Sequence, residues 1–305
     1  MIRRPRPSQA ATGALLVLAG LVCQELGASI AVTLFPQVGP IGMVTLRLVF
    51  AALILLAVAR PALRGHPRSA WGSAVGFGLV LAAMNVCFYL ALDRIPLGPA
   101  VTLEILGPLA LSVIAGRRWT SALWAGVALV GVLLLGGVLL HSGPTAALDP
   151  LGVVLALAAG ALWIGYILLS ARTGTEFPGL NGLAIAAAIG ALVTIPLAAT
   201  TAGTALFDPV ILLLGLGVAA LSSAVPYALE FVALRRLSAA TFSILLASAP
   251  AIAAIAAIAG LLVLGQELTT PQWLGIACVV GAGIGAVLSA RRGRAPEVQP
   301  SIAPS

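Results

Sequence analysis

The sequence contains very few charged side chains and no lysine. Its 305 residues include 16 arginines and 9 acidic residues, together 8% of the chain, against about 25% in an ordinary soluble domain. Hydrophobic residues make up 61% of the chain, and the mean hydropathy is +1.14. A soluble enzyme is excluded because so few charges cannot cover a surface that faces water. Intrinsic disorder is excluded because it requires low hydrophobicity.

Motifs for nucleotide, metal and disulfide chemistry are also missing. The chain has no GxxxxGK[ST] loop, no HExxH motif, no CxxC pair and no Asp-rich metal motif. Its two histidines, His66 and His141, lie in predicted loops, and its three cysteines lie in apolar runs. We therefore predict no cofactor, no metal site and no enzymatic activity. Because the basic residues lie at the ends of apolar runs, the net charge of +7 indicates membrane topology and not a nucleic-acid partner.

The sequence does contain a series of long apolar runs separated by proline, glycine and charged residues. A helix needs about 20 apolar residues to cross a bilayer, and the runs are continuous, whereas β-barrel strands alternate with a period of two. The predicted fold is therefore an all-α integral membrane protein with ten transmembrane helices in the lipid bilayer. The approximate bounds of these helices are 11–34, 41–59, 70–92, 96–115, 120–140, 151–171, 181–200, 209–233, 239–264 and 272–290.

The distribution of arginines predicts the orientation of these helices. With a cytoplasmic N-terminus, 14 of the 16 arginines fall in cytoplasmic loops or tails, Arg94 lies outside and Arg47 lies within a span. Such an excess on one side follows the positive-inside rule. We predict that both termini are cytoplasmic, with residues 1–10 as an N-terminal tail and residues 291–305 as a disordered C-terminal tail.

An internal repeat relates the two halves of the chain. Residues 91–108 align without gaps to residues 233–250 at an offset of 142, and Phe35-Pro36 meets Phe177-Pro178 at the same offset. The predicted repeats, 11–140 and 150–290, contain five spans each. Because five is odd, the two repeats must be inverted in the membrane, an arrangement typical of secondary transporters.

Four ionisable side chains lie deep in the predicted spans, namely Glu25, Arg47, Glu104 and Glu230. Each costs about 2.5–3.5 kcal/mol at the centre of a membrane helix on insertion scales, so such residues usually mark a functional interior. We predict that they face one another, an aqueous cavity or a substrate. For Arg47, a structural ion pair with Glu25 is the alternative.

Three prolines within the spans predict kinks, and each leaves the carbonyl four residues before it without a helical donor. Unpaired backbone at membrane depth is tolerated where it lines a cavity; a kink that only shapes packing is the alternative. The pairs of carbonyl and proline are Glu104 and Pro108, Ser222 and Pro226, and Leu246 and Pro250.

Polar and aromatic side chains complete the predicted cavity. They lie three or four residues apart on shared helical faces, in the pairs Asn85 and Tyr89, Trp163 and Tyr166, and Tyr227 and Glu230. Such a cavity suits a small zwitterion, with carboxylates for its ammonium group and arginine for its carboxylate. Glu104 is also a candidate carrier of a coupling proton. Taken singly, each aromatic has a core or lipid-interface position as its alternative.

Several motifs resemble those of one transporter family. They include Gly27-Ala28-Ser29 before Phe35-Pro36, Met84-Asn85 before Phe88-Tyr89, Leu103-Glu104 before Gly107-Pro108, and Pro226-Tyr227 before Leu229-Glu230. In these motifs the chain is similar to the threonine/homoserine exporters of the drug/metabolite transporter superfamily, which are built from two EamA-type repeats. The resemblance implies ten spans, cytoplasmic termini in the bacterial inner membrane, and export of small amino acids driven by proton exchange.

Two positions depart from the pattern of that family. Ala249 precedes Pro250 where the family has Glu, and Gln266 follows Gly265 where the family has Glu. The loss of a buried carboxylate affects coupling or substrate choice. We therefore predict an inner-membrane exporter of small amino acids or related metabolites that works by alternating access. The alternatives are a broader carrier of drugs, aromatic compounds or nucleosides and, from other classes, a membrane-embedded enzyme or a channel.

Overall fold

The computed structural model describes residues 7–61, 65–116, 119–135, 148–226 and 250–292, and within these ranges the chain is helical and contains no β-strand. The predicted all-α class is therefore confirmed for the described residues. Their α-helices are α1 Pro7–Thr33, α2 Phe35–Ala59, α3 Arg68–Leu92, α4 Leu97–Gly116, α5 Trp119–Leu135, α6 Pro150–Glu176, α7 Asn181–Thr201, α8 Pro209–Ala219, α9 Pro250–Leu264 and α10 Thr270–Arg292. A 3₁₀ turn covers Gly203–Phe207, and a π turn, Ala220–Ala224, extends α8.

The helices have the length and surface expected of membrane spans. Among the described residues, α2, α3, α6 and α7 are long and apolar enough to cross a bilayer, and shorter apolar stretches lie in α1, α4, α5, α8 and α9. Large apolar side chains cover the outside of the bundle; Leu192 is 69% exposed, Leu213 69% and Leu262 78%. Such a surface suits lipid better than water. The number of spans, ten, stays a prediction.

A break near the start of α2 follows from two consecutive residues. Gly39 adopts a φ of +66° and a ψ of 167°, a conformation that favours glycine, and Pro40 supplies no N–H to the preceding turn. The continuous helix therefore begins at Pro40, close to the predicted start of the second span.

The helices of the predicted first repeat pack mainly against those of the second. Helix α3 contacts α6 and α7, α2 contacts α7 and α8, and α5 contacts α10. In the predicted repeats, α1, α2, α3 and α4 are the counterparts of α6, α7, α8 and α9. The contact between α1 and α9 is then matched by the contact between α6 and α4, and the contact between α2 and α8 by that between α7 and α3. Inverted repeats related by a pseudo-twofold axis would produce these matched pairs; the inverted repeat and its boundaries stay predictions.

Helices α4 and α6 cross at unusually short range because each carries a glycine at the point of contact. A Cβ atom on Gly160 of α6 would lie 2.5 Å from the backbone oxygen of Glu104, and a Cβ atom on Gly107 of α4 would overlap the Gly160 carbonyl. Small residues allow this approach between membrane helices. The crossing therefore holds the turn of α4 that carries Glu104 at a defined position along α6.

At the end of the bundle where α4 begins, a side chain from the other half of the chain caps the helix. The Oε1 atom of Gln266 accepts a hydrogen bond of 3.0 Å from the backbone N–H of Leu97. One residue on, a Cβ atom on Gly98 would lie 2.7 Å from the Cβ atom of Ala257 in α9. The start of α4 is thus held against the end of α9.

An ion pair at the start of α6 gives a pH-dependent prediction. The Arg94 guanidinium, 3.0 Å from the Asp149 carboxylate, and the N–H of Leu151 hold the pKa of Asp149 below its ordinary value of 3.8. Because the folded-state pKa is depressed, this contribution to stability is present above the ordinary value and is lost as the pH falls through the folded-state pKa.

We expect Asp149→Asn to lower the melting temperature slightly at neutral pH, since both partners are substantially exposed. Asn retains the helix-capping acceptor, so the substitution isolates the ion pair. Thermal unfolding of the purified protein in detergent should show the difference shrinking when the pH is well below the pKa of Asp149. A difference of the same size at both pH values would contradict this account.

Candidate functional site

A group of charged and polar residues meets inside the bundle, between helices from both halves of the chain. We call it the acid–arginine cluster; its members are Glu25 of α1, Arg47 of α2, Tyr89 of α3, Glu104 of α4 and Ser222 of the π turn. Glu25 and Tyr89 are buried, at 3% and 0% exposure. The charges of Glu104 and Arg47 both act on Glu25. The structure therefore brings together three of the four ionisable residues that the sequence places at membrane depth.

Arg47 connects the cluster across the interface between the halves. Its Nη1 donates to the Tyr89 hydroxyl and its Nη2 donates to the Ser222 carbonyl, each at 3.4 Å. Its Cζ atom lies 5.7 Å from the centroid of the Tyr89 ring, within the range of a cation–π interaction. Both hydrogen bonds are longer than the usual 2.7–3.2 Å, so each of them is weak.

The Ser222 carbonyl accepts from Arg47 because its regular helical donor is missing. In an α-helix this carbonyl would pair with residue 226, and Pro226 has no N–H. Helix α8 also widens into the π turn directly before this proline, and π turns are frequent at functional sites. The sequence predicts a carbonyl here without a helical partner, and in the structure Arg47 donates to it.

Glu25 is the most deeply buried acid of the cluster. Its Oε2 atom has no hydrogen-bond partner. Helix α1 comes close to the π turn at this level, since a Cβ atom on Gly27 would lie 3.1 Å from the Ser222 Cβ. Arg47 therefore does not donate to this oxygen, as it would in a two-donor ion pair with Glu25, the alternative from the sequence.

Glu104 contributes its side chain to the cluster and its backbone to the helix crossing. The positive charge of Arg47 acts on its partly buried carboxyl group. Pro108 removes the helical donor of its backbone carbonyl, and that carbonyl oxygen lies against Gly160 of α6. The carboxyl group and the carbonyl of Glu104 are therefore used at two different interfaces.

The remaining predicted site residues of the described part of the chain lie on α3 and α6. Asn85 is 6% exposed, and its Nδ2 donates to the Leu81 carbonyl at 2.8 Å, one turn before Tyr89 on α3. Trp163 and Tyr166 are partly buried on α6, and the Tyr166 ring lies 5.1 Å from that of Phe77. Their role in a cavity stays a prediction.

Part of the predicted site falls where the structure gives no description. Tyr227 and Glu230 lie outside the described residues, as do Leu246 and Ala249. Pro250 begins the described part of α9, so the predicted kink at this proline also stays a prediction.

Two contacts of this region had no signal in the sequence. Phe35 packs on Tyr89 with ring centroids 5.8 Å apart, and Gln266 caps α4 at Leu97, 169 residues away. Gln266 stood out only as a departure from a family pattern. The first contact depends on how α2 and α3 pack, and the second depends on how α4 and α9 meet.

Comparison with known proteins decides the family. The model of the EamA-like transporter family matches residues 150–288. The threonine/homoserine exporter RhtA of Salmonella typhimurium (strain LT2) is 39% identical over 281 residues, 91% of this chain and 92% of that protein. RhtA of Escherichia coli (strain K12) is 38% identical over 280 residues, with 91% and 92% coverage. This chain belongs to the EamA-like transporter family.

Membership of the EamA family confirms two predictions from the sequence. The resemblance to threonine/homoserine exporters is correct, and the chain is a transporter and not an enzyme, as its named relatives are exporters. A crystal structure of another protein aligns with this EamA member at a TM-score of 0.60, over 93% of this chain and 99% of that one, with 18% sequence identity. At that identity the alignment supports the fold alone.

Proposed function

We propose that this protein is a secondary transporter of the bacterial inner membrane that exports small amino acids such as threonine and homoserine. The observation that carries the proposal is the acid–arginine cluster, in which two carboxyl groups and one guanidinium meet inside a bundle of apolar helices. Charged groups at membrane depth are costly and mark substrate or ion pathways. The relatives that share more than a third of its sequence are named as threonine/homoserine exporters.

The charges of the cluster complement those of a free amino acid. A carboxylate attracts the ammonium group of the substrate, and the Arg47 guanidinium is suited to its carboxylate because a planar fork of donors matches that geometry. Tyr89 presents a ring beside the guanidinium. Each charged end of a bound zwitterion thereby exchanges its hydration shell for a protein group of the opposite charge.

Alternating access and proton exchange are the finer parts of the proposal. The cluster joins α1, α2, α3 and α4 to the π turn of the second half, so a movement between the halves would change access to it. Glu104 and Glu25 are the described acids positioned to take up a proton when the substrate leaves. In this mechanism protons enter the cell as the amino acid is exported.

Transport by reconstituted vesicles tests the proposal. We expect liposomes that contain the purified protein and are loaded with labelled homoserine or threonine to release the label faster than protein-free liposomes. Making the external medium more acidic than the liposome interior should accelerate release. If one proton is exchanged for each substrate molecule, each pH unit of gradient supports about a tenfold ratio of substrate concentrations across the membrane. Initial efflux rates with and without a protonophore are the measurement.

The outcomes separate the parts of the proposal. No efflux of either amino acid, with or without a gradient, would remove the amino-acid function. Efflux at a rate that does not depend on the pH gradient would contradict proton exchange but would still support the proposed substrate. Competition by drugs, aromatic amino acids or nucleosides as strong as that by homoserine would favour the broader carrier.

A further inference from the structure

The buried Glu25 carboxylate has one oxygen that no group of the described residues uses as a hydrogen-bond acceptor. Its side chain is 3% exposed, yet its Oε2 atom accepts no hydrogen bond. A buried carboxylate oxygen without a donor is strongly unfavourable, because desolvation is not compensated. No donor from the described part of the chain reaches this oxygen, so Glu25 either takes up a proton or, when ionised, requires a donor from a bound group.

The charges around Glu25 define the missing donor. Glu104 adds a second negative charge and Arg47 is the positive charge that acts on both acids. With both acids ionised, two carboxylates face one guanidinium. Arg47 also directs Nη1 to Tyr89 and Nη2 to Ser222. The group that would complete the cluster is a further cation that carries N–H donors.

The chemistry of cations narrows the choice to a protonated primary amine. A hard metal ion requires six or more oxygen ligands or an octahedral shell, and among the described residues no three His, Cys, Asp or Glu side chains come together for a metal. A quaternary ammonium ion brings a positive charge without a donor. A primary ammonium group brings one positive charge and three donors in a compact shape.

We propose that Glu25 is the ammonium subsite of the carrier, with its Oε2 atom accepting a hydrogen bond from a primary amine of the substrate. The proposal rests on the proposed transport function and specifies what the site recognises. The close approach of Gly27 to Ser222 places this part of α1 next to the turn that holds Arg47. Selectivity for amino acids over the corresponding hydroxy acids therefore depends on a single carboxylate of α1.

A pair of ligands that differ only in the amine tests this subsite. The ligands are homoserine and 4-hydroxybutanoate, which keeps the carboxylate and the hydroxyl group. Binding to the purified full-length protein in detergent is measured by titration calorimetry. We expect the wild type to prefer homoserine by at least about tenfold, the value of one hydrogen bond to a charged group. Glu25→Gln should reduce this preference to about threefold or less, and Glu25→Asp should restore part of it.

A second acid provides the matched control. Glu176, at the end of α6, also has a carboxylate oxygen without a hydrogen bond and lies 3.8 Å from Arg172. Glu176→Gln should retain the full preference for homoserine. The thermal unfolding of each variant without ligand shows that it is folded.

The possible results distinguish failure of the ammonium subsite from failure of the proposed substrate. Glu25→Gln with wild-type preference, or with equal loss of affinity for both ligands, would overturn the ammonium subsite. A wild type that binds neither homoserine nor 4-hydroxybutanoate would remove the proposed substrate, and the subsite is then tested by comparing the binding of n-butylamine with that of n-butanol. Binding of the amine by the wild type, lost in Glu25→Gln, would sustain the subsite; no binding of the amine would overturn it.

Discussion

Replacing Glu104 with glutamine is expected to lower the initial rate of substrate efflux at least about tenfold, which corresponds to about 1.4 kcal/mol in the transport barrier. Glutamine has nearly the same shape, so the packing of α4 against α6 is preserved. The substitution removes a negative charge that faces Arg47 and a group able to carry a proton. Efflux from proteoliposomes with equal amounts of protein is the measurement.

The pH gradient sharpens the test of Glu104. The residual efflux of Glu104→Gln should no longer respond to an imposed gradient if Glu104 is the carrier of the coupling proton. Glu176→Gln, which also removes one acid from a helix, should transport at the wild-type rate. Gradient-dependent efflux near the wild-type rate in Glu104→Gln would show that Glu104 has no central role.

Adding one methyl group at Gly107 is expected to destabilise the fold by about 3 kcal/mol, the upper end of the usual cost of overpacking. A Cβ atom there would overlap the backbone carbonyl of Gly160, and backbone cannot rotate away as a side chain can. Helices α4 and α6 must separate to accept Gly107→Ala, which moves the turn that carries Glu104. The melting temperature of the purified protein and its efflux rate should both fall.

A glycine in open surroundings provides the comparison for Gly107. Among the described residues, no atom outside the glycine's own stretch of helix lies within 4 Å of the position that a Cβ would take on Gly72 of α3 or on Gly126 of α5. Alanine at either position should leave the melting temperature unchanged or raise it, since alanine favours helix more than glycine does. If Gly107→Ala melts like these controls, the close crossing does not support the fold.

The helices were predictable from the sequence because hydropathy and helix breakers are local signals. The predicted span 181–200 agrees closely with α7, which covers Asn181–Thr201. The predicted start of the second span, residue 41, lies next to the break at Gly39 and Pro40. The first helix begins earlier than predicted, at Pro7, because proline is well accepted in the first turn of a helix and hydropathy does not register such a polar start.

The proximity of the acids and the arginine was predictable for a different reason. A buried charge is so unfavourable that it must lie near a compensating group, whatever the fold, and Glu25, Arg47 and Glu104 lie close enough for their charges to act on one another. The contact between Arg47 and Tyr89 depends on the rotation of α2 against α3, which a helical face alone does not specify. The same limit applies to Trp163 and Tyr166, whose shared face is evident but whose neighbours across the helix interface are not.

The hydrogen bond between Leu97 and Gln266 has a consequence for observing the protein at work. The first N–H groups of a helix have no acceptor within that helix, so the Leu97 amide depends on Gln266 from the other half of the chain. When the ends of α4 and α9 separate, this amide loses its protection and exchanges its proton for deuterium. A single backbone position therefore reports, without any attached probe, how often the two halves of the molecule move apart.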